Sequence, residues 1–417
     1  MCRHFGKCGG CDWQDVSYAD QLLRKQARLQ ALLDDQFGRR APRVEPVAGM
    51  TIDPSGPRPE GAAEATAPWG FRRKAAFVFA PTGGAATRRR PTPGFVMGHF
   101  ARGSREVVPI GECPVHAPRA NRIAFALARQ LTRAQISAAG PRLDGVLRHL
   151  IVRTTSDDQE AVAMLVVTRN DKALRAPLRA FLAGPERPTG FFLNIHDRPG
   201  AYMVGPESLR LDGRSHVREE VAGRSFLLSP TAFFQTNTEA AATLVGLITA
   251  AVGAHPQRVL DLYAGSGLFA VPLAVAGHTV TAVEENRVAV ADGERNLGLN
   301  RVPPGRLRFV AAPVEQALVR LGRDACDLVV LDPPREGCSP EALEAIFTDL
   351  GPPRAVYVSC DPQALVRDLA AIVDAGYTVT RVQPVDMFPH TTHIETVVTL
   401  ERSPAAVHGA TLPKRGR

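Results

Sequence analysis

The residue types with the clearest chemistry lie near the carboxyl end of the chain. Cys360 closes the apolar run Ala355–Asp361, AVYVSCD. A thiol at the carboxyl end of a parallel strand opens onto the crevice where α/β proteins bind ligands, so Cys360 is either a nucleophile or a buried small hydrophobe. Glu395 follows in MFPHTTHIE, a polar loop with His390, His393 and threonines, and is the candidate base. Asp332 ends the run LVVLDPPR, where two prolines restrict the backbone and shape a loop over the same crevice. A soft thiolate suits addition to C6 of a pyrimidine, which makes C5 nucleophilic; a base must then take the C5 proton before the sulfur can leave.

Such a site needs a second reactant. Val259–Phe269, VLDLYAGSGLF, reads as a buried strand, a glycine-rich turn at Gly265 and a helix. Glycine there lets the backbone approach a ligand closely, although the dinucleotide fingerprint G-x-G-x-x-G is absent. The next strand ends in Glu284, roughly 20 residues on, where an acidic residue can accept both hydroxyls of a ribose. Turn, acid and Asp-Pro-Pro together predict an S-adenosylmethionine pocket.

Cys2, Cys8 and Cys11 form C-x5-C-x2-C, and Cys113 lies in IGECPVH. Four thiolates can hold an iron–sulfur cluster or a structural zinc. Cys326 and Cys338 have no partners by spacing and read as structural. Trp69–Lys74, WGFRRK, sets two aromatic rings beside three cations. Rings stack on unpaired bases and cations bind phosphate, so Trp69, Phe71, Arg72, Arg73 and Lys74 are candidate RNA contacts, with Arg88–Arg90 as a loop that adds phosphate contacts.

These residues must be positioned by more than one core, since 417 residues exceed a single domain. Leucines at helical spacing predict an amphipathic helix over Tyr18–Leu33, and Thr51–Pro68 is rich in Pro, Gly and Ala, as a loop would be. Short β runs from Trp69 to about Thr231, with a helix near Arg119–Leu131, predict a mostly antiparallel α+β domain. After Thr231, apolar strands alternate with helices, the pattern of a parallel doubly wound sheet. The expected division is 1–230, including a helical segment 18–48 that packs on the catalytic domain; 231–402; and a basic disordered tail, 403–417. Lys and Arg number 50 against 42 Asp and Glu, a formal charge of +8 that suits a polyanion. No apolar run reaches the ~18 residues of a membrane span, and the N-terminus lacks a signal peptide's apolar stretch. The expectation is a cytoplasmic protein, where clustered cysteines more often bind metal than form disulfides.

The ordered set FFQTN (Phe233–Asn237), DLYAGSG, DPPR, SCDP and FPHTTHIE resembles the RNA uracil-5 methyltransferases across the C-terminal half. The resemblance implies a Rossmann-like class I methyltransferase domain. It makes Cys360 the covalent nucleophile and Glu395 the proton acceptor, with Gln235, Tyr263, Glu284 and Asp332 on S-adenosylmethionine-binding positions. Tyr263 and Leu268 stand where relatives often carry Phe and Asn, and Pro313 falls near a position that is often a polar cofactor contact. The N-terminal cysteines with a later Cys-Pro are similar to the [4Fe–4S] group of the ribosomal-RNA branch, so the central domain is expected to carry that cluster rather than zinc. The implied substrate is a uridine flipped from a loop of 23S rRNA, and the implied state a monomer. Relatives with this cluster often carry an N-terminal β-barrel; with the cysteines starting at residue 2, target choice is expected to rest on the central domain. The rivals are a tRNA uracil-5 methyltransferase and a non-catalytic iron–sulfur RNA-binding protein.

Overall fold

The computed structural model describes residues 1–60, 66–82, 94–199, 203–320 and 325–403; Arg88–Arg90 and nearly all of the expected tail lie outside them. The first helix, α1 (Tyr18–Phe37), starts where Ser17 accepts the Asp20 N–H, a side-chain N-cap. Its buried residues Gln21, Lys25, Leu29 and Leu33 recur every four positions, one face of a helix.

Seven strands follow: β1 (Lys74–Pro81), β2 (Phe95–Phe100), β3 (Val107–Pro109), β4 (Leu147–Thr154), β5 (Ala161–Val167), β6 (Gly190–Ile195) and β7 (Glu207–Gly213). They form one sheet in the order β3-β2-β1-β4-β5-β6-β7. Every neighbouring pair is antiparallel except β5–β6. That parallel step needs a crossover, supplied by α3 (Arg175–Leu182), which the sequence reading missed. The other helix of this unit, α2 (Pro118–Arg133), buries Ile123, Leu127 and Leu131 against the sheet.

The hairpin β8 (Val217–Val221) and β9 (Arg224–Leu228) meets this sheet at Val162 of β5. Val217, Phe226 and Leu228 share a core with Leu244 and Ile248 of α4 (Thr238–Val252). A division at residue 230 would therefore cut through one hydrophobic core. Beyond it, β10 (Arg258–Leu262), β11 (Thr279–Glu284), β12 (Leu307–Ala311), β13 (Leu328–Leu331), β14 (Arg354–Ser359), β15 (Tyr377–Val385) and β16 (Glu395–Arg402) build the second sheet. Its order is β12-β11-β10-β13-β14-β16-β15. The helices α5 (Ala270–Val275), α6 (Arg287–Leu299), α7 (Val314–Leu318), α8 (Pro340–Leu343) and α9 (Pro362–Asp374) connect its strands.

The expected all-parallel sheet is corrected at one edge. β16 runs antiparallel to both β14 and β15, because only the loop 386–394 separates β15 from β16, too short for the crossover a parallel pair requires. Strand order reverses at β10, between β11 and β13, and a crevice opens at the carboxyl ends of strands flanking such a switch point. Leu29 and Leu33 of α1 are fully buried in the core beneath this sheet, with Leu365 and Leu369 of α9. Burial of each leucine contributes about 1.5–3 kcal/mol.

Candidate active site

Strand register carries the site. In the antiparallel pair β14–β16, Ser359 lies opposite Thr396; one step further the same register sets Cys360 opposite Glu395. Asp332 follows β13, the parallel neighbour of β14, whose Leu331 pairs with Tyr357. Three side chains remote in sequence thus meet at one end of the sheet. Glu395 is not on a polar loop as expected: it is the first residue of β16 and is buried. The loop polarity that suggested exposure belongs to the residues before it.

The electrostatics are those of crowded carboxylates. Burial pushes Asp332 up to about 7, against a hydrogen bond from Gln235. Burial, and then Asp332, push Glu395 well above the ordinary carboxylate range, while Arg335 pulls the other way. Its Oε2 has no hydrogen-bond partner among the described residues. Burial, Glu395 and Asp332 raise the Cys360 thiol to about 11, and the Arg335 guanidinium opposes them by charge and by a hydrogen bond to the sulfur. Asp261, in β10, is raised well above its usual value by burial and by Asp332 and Glu284. All of these shifts disfavour the charged forms, and a cation bound in the crevice would oppose them.

Two supports hold the reactive groups in place. The first is Asp368 of α9, which accepts the Cys338 N–H at 2.8 Å, the Tyr357 hydroxyl at 2.6 Å and Arg367 at 2.7 Å. These bonds tie the loop carrying Asp332 and Arg335 to the strand carrying Cys360. Gly337 in that loop has φ +81°, and a Cβ there would lie 2.5 Å from Asp368 and Arg367 atoms. The second support is the N-terminal segment, which grips the loop leading into Glu395. Lys25 Nζ donates to Asp386 at 2.5 Å and to the Phe388 carbonyl at 3.0 Å. Gln21 accepts the His390 N–H at 2.8 Å, and the Asp12 N–H donates to the His390 carbonyl at 2.7 Å.

At the far end of the crevice lie Gly265 and Glu284, the residues expected to hold the ribose. Gly265 sits at φ +54°, and a Cβ added to it would meet nothing within 4 Å. Its N–H donates to Glu284 at 2.9 Å, and the Asn286 N–H donates to the other Glu284 oxygen at 2.7 Å. Tyr263 has a positive φ of 60°, a costly conformation for a non-glycine residue. Its hydroxyl neighbours Cys338 and Glu315, so the side chain belongs to the core below the sheet. Sequence reasoning missed Arg335, whose signal is a cation directly after Asp-Pro-Pro. It also missed Asp368, which carries no local signal.

The aromatic and basic stretch is less exposed than expected. Phe71 is buried with Cys11 and Val115, which removes it as a stacking platform. Trp69 stacks on His390 with ring centroids 3.9 Å apart, so one face is taken. Burial, with Arg153 beside it, lowers Lys74 to about 7, and Arg73 neighbours Glu219, Asp158 and Asp157. Arg72 lies against Cys113 and Cys11. A more exposed ring is Phe233, 63% accessible and two residues before Gln235.

Cys2, Cys8, Cys11 and Cys113 line one cavity of about 490 Å³, with Phe233 at its wall. Burial raises Cys11 to about 11 and Cys113 to about 12, each pushed further by neighbouring thiols of the set. Four thiols gathered beside a buried guanidinium fit an anionic thiolate cluster. Cys326 and Cys338 are buried in the core beneath the second sheet.

Among the described residues no helix is long and apolar enough to cross a membrane. The sequence profile of the tRNA (Uracil-5-)-methyltransferase family matches residues 212–403. An RNA methyltransferase of Gloeobacter violaceus is 35% identical over 95% of this chain and 81% of its own length. One from Thermosynechococcus vestitus is 34% identical over 95% and 83%. The crystal structure of Pyrococcus abyssi tRNA (uracil-54, C5)-methyltransferase in complex with S-adenosyl-L-homocysteine superposes with a TM-score of 0.72. It has 24% identity and covers 94% of this chain and 85% of that one. The profile match spans the elements that carry the thiol and its carboxylates, and the relatives extend over nearly the whole chain: the protein belongs to the RNA uracil-5 methyltransferase family.

Proposed function

We propose that this RNA methyltransferase methylates C5 of a uridine, with Cys360 as nucleophile and Glu395 as base. The observation that carries the reading is the register that sets Cys360 opposite Glu395 at the end of β14 and β16, with Asp332 beside them. The Cys360 thiol releases its proton to solvent as its sulfur adds to uracil C6, and the electron pair of the C5–C6 bond becomes available at C5. When bound, S-adenosylmethionine supplies the methyl group that C5 takes. Glu395 then removes the C5 proton, the C5–C6 double bond reforms, and the Cys360 sulfur leaves. Arg335 steadies the thiolate before addition and after elimination.

S-adenosylmethionine suits the crevice on physical grounds. Its sulfonium and ammonium would set positive charge beside Asp261, Asp332 and Glu395, of which Glu395 also has Arg335 as a neighbour. Glu284 and Gly265 would hold the ribose end, and Gln235 and Asp332 the methionine end. The four cysteines favour an iron–sulfur cluster over zinc. Tetrahedral zinc at about 2.3 Å per ligand needs sulfurs about 3.8 Å apart, and among the described residues the four sulfurs do not converge together within 4.8 Å, Cys113 converging instead with two histidines. A cluster of that kind is the reason for reading the substrate as 23S rRNA, with the flipped base stacked on Phe233 in place of Phe71.

The test uses RNA containing 5-fluorouracil, whose C5 fluorine cannot be removed as a proton. Wild type with S-adenosylmethionine should form a stalled covalent adduct, and Cys360→Ala none. Glu395→Gln should trap an adduct on ordinary RNA, with turnover lowered about 10²–10⁴-fold. Absence of any wild-type adduct would sink the assignment. Methyl transfer to tRNA but not to 23S rRNA transcripts would overturn the substrate alone.

A further inference from the structure

The cysteine cavity contains a second ligand set. His99 ends β2 beside Phe100, and His116 immediately precedes the turn into α2. One ring nitrogen from each and the Cys113 sulfur lie within 4.8 Å of one another, the tightest kind of convergence found among the described residues. Each of these histidines carries an orphaned ring nitrogen. Neither His99 Nε2 nor His116 Nδ1 has a hydrogen-bond partner among the described residues, although both atoms are sealed from solvent. His116 is only 3% exposed. A buried polar atom without a partner costs about 1–3 kcal/mol, so two on histidines that line one cavity with Cys113 call for an occupant.

The supports around them are those of metal ligands. His99 uses its other ring nitrogen on the backbone of Ala76. A ligating imidazole typically donates its second N–H to such a carbonyl, which fixes the tautomer and leaves a lone pair on the remaining nitrogen. Cys113 is fixed from both sides by Asn121: its N–H donates to Oδ1 at 3.1 Å, and its carbonyl accepts Nδ2 at 2.9 Å. His4 lies near His99 on the cavity side, and its Nε2 is likewise unpartnered among the described residues.

We propose that His99, Cys113 and His116 form a binding site for one divalent transition-metal ion, zinc or iron(II), which shares Cys113 with the four-cysteine set. Two imidazoles and one thiolate are a borderline-soft donor set of the kind these ions take. Binding would release the Cys113 thiol proton to solvent, and His4, which lines the same cavity, is a further imidazole nearby. Because one thiolate serves both sets, the mononuclear and four-cysteine states exclude each other. The site stands on its own geometry and does not depend on the uracil reading.

The experiment uses the full chain, prepared anaerobically without metal, and cobalt(II) as the probe. A Cys2→Ser/Cys8→Ser/Cys11→Ser variant keeps the proposed site and loses three cluster ligands. It should bind one cobalt per chain with sulfur-to-cobalt charge-transfer absorption. Adding His99→Ala, or His116→Gln, which preserves volume at the more buried position, should weaken that binding more than about 100-fold, beyond the loss expected from an outer-shell partner. In the background with all four cysteines, the same histidine substitutions should leave iron–sulfur reconstitution intact, which shows that they fold. No cobalt uptake by the triple variant, or uptake indifferent to both histidines, would overturn the site and leave the methyltransferase reading untouched.

Discussion

Asp332 and Glu395 share one electrostatic problem, two carboxyl groups crowded at one end of the sheet, and burial pushes Asp332 up to about 7. A positively charged ligand binds the ionised form, so its affinity should rise with pH until Asp332 is fully ionised. From pH 6 to pH 8 the ionised fraction grows about tenfold for a group titrating near 7. S-adenosylmethionine affinity, measured by calorimetry, should rise by about that factor, and Asp332→Asn should flatten the dependence. A wild-type affinity that is constant or falls over this range would refute the role. The stability sign is opposite. The folded-state value is raised above the unfolded one, so the folded state binds the extra proton, and stability falls as pH climbs from about 4 to about 7. Asp332→Asn should therefore stabilise the ligand-free protein at pH 8.

α1 is a buttress for the active site, although it lies far from the site in sequence. Its Lys25 and Asp386 side chains are both fully buried, and Lys25 also caps the Phe388 carbonyl on the loop that leads into Glu395. Removing one partner of such a pair leaves a buried charge and costs about 3–5 kcal/mol, whereas replacing both by apolar groups is often neutral. Lys25→Met should lower the urea midpoint by that equivalent, and Lys25→Met/Asp386→Leu should recover most of it. A single variant as stable as wild type would show that α1 is not coupled to the loop in this way. The hairpin β8–β9 joins the two sheets, because its Phe226 and Leu228 share one apolar core with Val162 of β5 and with Leu244 and Ile248 of α4.

At the scale of the whole molecule, the excess of basic residues and the exposed Phe233 make separable contributions to RNA binding. Phosphate contacts release counterions, so log K should fall linearly with log salt at a slope near −0.7 per contacted phosphate of single-stranded RNA. A ring stacked on a base contributes about 1–3 kcal/mol without changing that slope. Phe233→Ala should therefore weaken binding by that amount at every salt concentration, as read by fluorescence anisotropy. An altered slope with unchanged affinity at low salt would assign Phe233 no stacking role.

The sequence by itself determined the chemistry and its order. Cys360 at a strand end, Asp332 before two prolines, the turn at Gly265 and Glu284 one strand on are local signals, because each depends on residue type and on neighbours a few positions away. The two kinds of β unit and the gathering of four cysteines were legible for the same reason. Only the tertiary structure decided what depends on pairing and burial. Glu395 looked like a loop residue because its preceding neighbours are polar; the pairing of β16 with β14 and β15 makes it a buried strand residue opposite Cys360. Phe71 and Lys74 looked like RNA contacts until packing enclosed them. Asp368, and the orphaned nitrogens of His99 and His116, carry no local signal at all. Their roles arise from contacts between elements remote in sequence, which no spacing along the chain encodes.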